Sequence, residues 1–312
     1  MSDEADFIAA LRAIAVHPGA RGLADDVAVL PPPVGRDLVM THDMIAEGVH
    51  YLSDDPPGDV AWKLVAVNLS DLAAKGARPI GLLLGHVMTG DSSWDAAFVE
   101  GLGRALRHFD LPLLGGDTIA LPPGSPRVLG LTAIGEAPRP VPDRRSARPG
   151  DTIWLCGVVG DAGLGLQIAR GEIEGPRRLL KAYRLPMPRL SEGQAVARHV
   201  HAMMDVSDGL LIDAARLADA SGVALHLDLD ALPLSADAEA FGNDRAARLR
   251  AATAGDDYAL LLTASADKTD VISAISPAFT LIGHVEDGSG LHLTDRDGTI
   301  SLPSRLGYMH QH

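Results

Sequence analysis

Aspartates stand at a repeated kind of position along this 312-residue chain. Asp25 and Asp26 precede VAVL, Asp43 follows LVMTH, and Asp71 sits in NLSDLAAKGA. Asp117 closes LLGGD, and Asp205 and Asp208 lie in MDVSDGLL. Taken singly, each has an ordinary explanation, because Asp caps helices and closes turns by accepting bonds from nearby backbone N–H groups. Taken together they say more. Asp43, Asp117 and Asp205 each follow a short apolar run, and strand ends are where α/β folds gather ligands. Two unit charges 4 Å apart at an effective dielectric near 20 repel by about 4 kcal/mol, so carboxylates converging there require a cation or raised pKa values. All-oxygen donors of this kind suit Mg²⁺ shared with substrate phosphates. Gly115 and Gly116, beside Asp117, could let backbone approach a ligand closely, or simply make a tight turn. The glycines at 160, 163 and 165 open a helix whose free N–H groups could hold phosphate. Ser207 has an N-cap explanation. Residue physics alone reads His50 as a structural or surface histidine.

The elements that must position these residues follow from spacing. A helix is predicted over Asp3–Val16, then strands at Val27–Leu30 and Leu38–Thr41, with PPPVGRD between them. A helix capped by Asp59 runs through WKLVAVNLSDLAAK to Gly76, and Ile80–Met88 reads as a buried strand. Ser92 or Ser93 opens an amphipathic helix ending at His108, followed by strands in LPLLGG and VLGLTAIGEA. Pro138–Gly150 is too rich in Pro and Arg to be helix or central strand, so the boundary is placed there, with domains 1–140 and 141–312. Beyond it DTIWLCGVV, VALHLDLDAL, YALLLTA and FTLIGHVE read as strands, with a helix near Asp267–Ile275. In VALHLDLDAL, Val223, Leu225, Leu227 and Leu229 should share one face. Alternating strands and helices in both halves imply two α/β domains.

Composition excludes several classes. With 27 Lys+Arg against 41 Asp+Glu the net charge is −14, the opposite of a nucleic-acid footprint. One cysteine, Cys156, rules out an internal disulfide or a multi-cysteine zinc site. The acidic N-terminus is unlike a secretory signal, and no apolar run is long enough to span a bilayer. The expectation is a soluble cytoplasmic protein with no nucleic-acid or membrane partner. There is no Walker loop, HExxH, GxSxG or EF-hand loop.

In order along nearly the whole chain, ADDVAVL, THDMIAEGVHY, AVNLSDLAAKGARP, LLGGDT, RRSARPGD, MDVSDGLL, AGDDYALL and GYMH resemble the thiamine-monophosphate kinases, within the aminoimidazole-ribonucleotide synthetase superfamily. AVNLSDLAAKGA and EGVHY are the most specific strings. The resemblance implies transfer of the ATP γ-phosphate to thiamine monophosphate on several Mg²⁺ ions. It assigns Asp26, Thr41, Asp43, Asp71, Asp117, Asp205 and Asp208 to metal, joined by His42 through its backbone carbonyl. Gly116, Asp117, Arg144 and Ser207 fall to ATP, and His50, Asp256 and Tyr308 to substrate. No general base is implied. It further implies a small N-terminal mixed sheet that pairs with its twin in a homodimer barrel, and a larger C-terminal mixed sheet flanked by helices. Three positions depart from the pattern: Ala24 for Gly, His42 for Thr, and Asp256 for Glu. The alternatives are another ATP-dependent member of the superfamily, without EGVHY or GYMH, and a non-catalytic binder of nucleotide or thiamine phosphates.

Overall fold

The computed structural model describes residues 3–24 and 27–309. Asp26 and the histidine ending GYMH lie outside them. Packing divides the chain into two units, one built from residues up to Leu72 with Arg78–Pro138, the other from Ala73–Ala77 with Arg139 onward.

The first unit contains α1 (Asp3–Ile14), β1 (Asp37–Ala46), most of α2 (Pro57–Ala73), β2 (Arg78–Met88), α3 (Ser92–Phe109), β3 (Leu113–Ala120) and β4 (Val128–Ala137). The strands form a mixed sheet ordered β1-β4-β2-β3, with β4 antiparallel to β1 and β2, and β2 parallel to β3. α2 is apolar on most sides: Val60, Leu64, Val65, Leu69 and Leu72 are all buried, as a helix enclosed by protein should be. α3 opens on Asp91, whose side chain accepts from Trp94 N at 3.0 Å, so Asp91 and not a serine is its cap. Gly58 and Gly101 let α2 and α3 touch backbone to backbone: a Cβ on Gly101 would lie 2.2 Å from the Gly58 Cα.

The strand expected at Val27–Leu30 is absent. Val27 and Val29 are exposed, and the prolines that follow supply no N–H for a ladder. The strand expected from Leu38 runs on to Ala46, because β4 pairs with it from Asp37↔Ala137 to Ala46↔Val128. Asp59 falls in the first turn of α2, two residues past its start.

The second unit contains β5 (Asp151–Cys156), α4 (Asp161–Ala169), α5 (Arg177–Arg184), α6 (Leu190–Val196), β6 (Ala202–Val206), α7 (Leu210–Ser221), β7 (Ala224–Asp228), α8 (Ala236–Glu239) and α9 (Arg245–Thr253). It continues through β8 (Ala259–Ser265), α10 (Thr269–Ile275), β9 (Phe279–Glu286), β10 (Gly290–Asp295) and β11 (Gly298–Ile300). Its mixed sheet is ordered β11-β10-β7-β9-β5-β8-β6, parallel only between β10 and β7. Strand alternation gives it two cores. Ile153, Leu155, Leu225, Leu227, Leu261 and Val285 pack with Leu211, Ala214 and Leu217 of α7. Trp154, Cys156, Leu260 and Leu262 pack on the other face with Val196 of α6 and Ile272 of α10. Leu229 leaves the strand for a short 3-10 turn but stays fully buried. Burial pushes the Cys156 thiol up to about 12, which makes it a packing residue and a poor nucleophile.

Candidate active site

β1 puts its two faces to different uses. Asp43 pairs in register with Leu131, and Leu131 with Leu84, both buried under the helices. Thr41, two residues away, shares that face. There the Thr41 hydroxyl donates to the Asp71 carboxylate of α2 in a very short hydrogen bond. One helical turn earlier, fully buried Asn68 accepts from Asp43 N at 2.9 Å and donates to Leu64 O. Asn68 thus fixes where β1 crosses α2, holding Asp43 and Asp71 on the same side of the strand. The i, i+3 spacing of Asn68 and Asp71 is the sequence signal that would have found it.

The intervening His42 points the other way, its Nδ1 2.9 Å from the Thr132 hydroxyl. Only its backbone could therefore join the donors around Asp43. Asp117 lies on β3 at the far edge of the sheet from β1, paired with Gly85. It lines an open cavity of about 910 Å³ together with Met40, His42 and Thr132. Within the unit, then, Thr41, Asp43 and Asp71 are gathered and Asp117 is not among them. Gly116 is required by β2 itself: a Cβ there would lie 2.0 Å from Leu84 O. His50 accepts the Ala46 N–H on Nδ1 at 3.0 Å, which leaves the ring proton on Nε2. Buried Lys63 donates to His50 O at 2.8 Å, fixing the loop that carries the imidazole.

In the second unit, β6 delivers Asp205 at a sheet edge, and the chain turns through Ser207, Asp208 and Gly209 into α7. Gly209 has φ +126°, which favours glycine. The turn is tied from three sides. Ser207 O accepts from Asp256 N at 2.8 Å, Asp208 O accepts from Tyr308 N at 2.8 Å, and buried Asp213 accepts from the N–H groups of Ser207 and Asp208 at 3.0 and 3.1 Å. Arg216 Nη1 bridges the Asp208 and Asp213 carboxylates at 2.6 and 2.7 Å. Burial raises the Asp213 pKa, against the pull of Arg216. The turn therefore collects Asp205, Ser207, Asp208, Asp256 and Tyr308. Beside it a cavity of about 290 Å³ is lined by Thr253, Gly255, Arg305, Gly307 and Tyr308. Gly307 and Gly255 leave no room for a Cβ, with Asp208 O and Ser207 O lying 2.5 and 2.9 Å from one.

Asp256 is held at φ +70° and accepts from the Tyr258 hydroxyl at 2.9 Å. Its neighbour Asp257 turns inward and accepts from Gly160 N at 2.7 Å and Ala162 N at 3.2 Å. Full burial drives the Asp257 pKa well above the ordinary carboxylate range. The amides opening α4, read from sequence as a phosphate cradle, thus already carry a carboxyl partner. Arg144 is exposed on the connecting segment, where its carbonyl accepts from Ser221 Oγ at 2.8 Å. Asp213 and Asp257 escaped the sequence reading because Asp213 follows Leu210, Leu211 and Ile212 inside a helix and not at a strand end, and Asp257 follows no apolar run.

The two sheets and their order define a class of protein. Residues 24–137 match the family model described as AIR synthase related protein, N-terminal domain, and residues 148–296 match the corresponding C-terminal domain. A thiamine-monophosphate kinase from Caulobacter vibrioides is 38% identical over 94% of this chain and 86% of its own. The crystal structure of thiamine-monophosphate kinase from Stenotrophomonas maltophilia K279a superposes with a TM-score of 0.82 at 35% identity, covering 94% of this chain and 96% of that one. AaThiL complexed with AMPPCP and TMP superposes at 0.78 with 29% identity, covering 89% of each chain. The chain belongs to the thiamine-monophosphate kinase family.

Proposed function

We propose that this chain transfers the γ-phosphate of ATP to the phosphate of thiamine monophosphate, giving thiamine diphosphate. The observation that carries this reading is the 38% identity with the Caulobacter vibrioides kinase over 94% of the chain. The AMPPCP and TMP held by the 29%-identical structure support the same pair of substrates.

The donor set fits Mg²⁺. Thr41, Asp43 and Asp71 share one side of β1 and offer only oxygen, the donor atom a hard dication takes. The proposed set is completed by the His42 carbonyl, Asp26, Asp205 and Asp208; Asp117, on the opposite face of the sheet, stays with the ATP contacts the resemblance gives it. Bound Mg²⁺ supplies charge neutralisation for two polyanions and alignment for in-line displacement. The remaining work falls to the chain. A phosphate monoester has a second pKa near 6, so the attacking oxygen is already largely ionised at neutral pH and needs no base. His50, its ring proton on Nε2, donates to the acceptor phosphate. Asp256 and Tyr308 hold the rest of thiamine monophosphate beside the Ser207–Gly209 turn. Ser207 and the backbone at Gly116 contact ATP, and the Arg144 fork engages its phosphate oxygens.

We assign the reaction to the cytoplasm and to a homodimer. Among the described residues no helix is long and apolar enough to cross a membrane. Leu38, Met40 and Met44 are exposed on the β1 face opposite Asp43, an apolar strip that a second copy's sheet would cover. A monomeric mass in light scattering at micromolar concentration would contradict the dimer. Incubation with Mg-ATP and thiamine monophosphate, followed by separation of products, tests the activity. ADP and thiamine diphosphate are expected in equal amounts, whereas saturable binding without product would identify a binder instead.

A further inference from the structure

Far along the second sheet from the Ser207–Gly209 turn, three histidines stand side by side on neighbouring strands. The register pairs His292 of β10 with His226 of β7, and His226 with His284 of β9. Their rings stack in a ladder, with centroids 4.6 Å apart from His292 to His226 and 5.0 Å from His226 to His284, the planes within 12° and 9°. Two residues beyond His284 on the same face, Glu286 reaches back. Its Oε2 lies 3.3 Å from His226 Nε2 and its Oε1 3.2 Å from His284 Nε2. The core under α6 and α10 on this face takes in β5, β8, β6 and, of β9, only its first residue, Phe279, while His284, Glu286 and His292 remain exposed.

We propose that His226, His284 and Glu286 form a binding site for a borderline transition-metal dication of the zinc class, unrelated to the Mg²⁺ of the phosphoryl-transfer reaction. One potential ligand atom from each residue lies within 4.8 Å of the other two, so modest side-chain rotation brings all three to the roughly 2.0–2.2 Å that Zn²⁺ takes with imidazole nitrogen and carboxylate oxygen. Two imidazoles and one carboxylate suit Zn²⁺, Co²⁺, Ni²⁺ or Cu²⁺, whereas Mg²⁺ prefers oxygen alone. His292 Nε2 donates to Ser289 O, 3.2 Å away, and the ring serves as an outer partner that packs against His226. With three protein ligands, a fourth position is left for water. Because the ligands come from β7 and β9, the ion would cross-link two strands where His284 and Glu286 are exposed.

The test uses the untagged full-length chain in excess Mg²⁺, titrated with Zn²⁺ by calorimetry and with Co²⁺ by visible absorption. One equivalent of Zn²⁺ and the intense visible band of four-coordinate Co²⁺ are expected. His226→Ala and His284→Ala should each weaken Zn²⁺ binding by more than about 100-fold, since a lost ligand exceeds the roughly 10–100-fold effect of a lost outer partner. His292→Ala should fall within that outer-partner range. His284→Gln keeps a polar side chain at an exposed position and guards against a misfolded alanine variant. Kinase turnover in Mg²⁺ should be unchanged in all four. Absence of saturable Zn²⁺ binding under excess Mg²⁺ would overturn the proposal. So would affinities in His226→Ala and His284→Gln equal to the wild type, which would place the ion on other histidines.

Discussion

Asp213→Ala probes the turn that carries Ser207 and Asp208. In the native protein the Asp213 carboxylate is 1% exposed and receives three bonds, two from backbone N–H groups and one from Arg216. Removing it leaves the Ser207 and Asp208 amides without their acceptor, at about 1–3 kcal/mol each while they stay buried. Both residues are half-buried, so water recovers part of that cost. Arg216, whose side chain is 41% exposed, keeps its bond to Asp208 and adds little. The expected loss is therefore about 2–4 kcal/mol, measured by urea unfolding of the two proteins side by side. Asp213→Asn retains one acceptor oxygen but turns an NH₂ toward the guanidinium, and should lose about 1 kcal/mol. In turnover assays the alanine variant should raise the KM for Mg-ATP, because Ser207 and Asp208 are no longer held together. An alanine variant within about 0.5 kcal/mol of the wild type, a typical surface-substitution effect, would refute the idea that Asp213 organises the turn.

Asp71→Asn should abolish turnover while the far-ultraviolet circular dichroism and unfolding midpoint stay near native, since it removes a charge from the Thr41–Asp43 side of β1 and little volume. Near-normal activity would remove Asp71 from the metal set. Gly101→Ala should destabilise by about 1–3 kcal/mol in denaturant unfolding through overpacking, because its methyl would lie 2.2 Å from the Gly58 Cα; an unchanged midpoint would contradict that helix contact. Asp257 has a folded-state pKa raised by burial. The folded chain therefore holds that proton more tightly than the unfolded chain. Its contribution to stability is present at low pH and declines as pH rises from the ordinary carboxylate value through the raised one. Asp257→Asn should lack this decline, so the stability difference between wild type and variant should shrink with rising pH. A pH-independent difference would contradict the assignment.

Much of the architecture was legible from local pattern. α2, β2, α3, β8 and β9 carry long apolar or periodic runs with punctuation at their ends, and they emerge close to the expected bounds. β6 and β11 are short, and α5 and α9 are polar, so neither alternation nor an apolar stripe announced them. Val27–Leu30 failed for the reverse reason: its apolar residues suit a strand, but among the described residues no strand pairs with them, and Val29 N donates instead to Gly19 O of a 3-10 turn. Of the candidate residues, Thr41, Asp43 and Asp71 came together only through the family resemblance; residue patterning grouped Asp43 with Asp117, which the sheet holds apart. Asn68 and Asp213 were not legible, since their importance lies in which backbone groups they satisfy, and this depends on packing between distant segments. The histidine ladder was likewise hidden: His226, His284 and His292 share no motif and meet only through strand order.

β1 carries the proposed cation donors Thr41 and Asp43 on one side and Leu38, Met40 and Met44 on the other, and both assignments rest on its pairing with β4. Inserting or deleting a single amino acid between Asp37 and Asp43 would invert the strand beyond that point. Met40 or His42 would then turn toward α2, and Thr41 would move out to the open sheet surface. Changes in length along this edge are therefore ruled out even where changes in residue type are tolerated. The chain can more readily absorb such variation in the irregular segment between β3 and β4, where an added residue would leave the parity of β1 untouched.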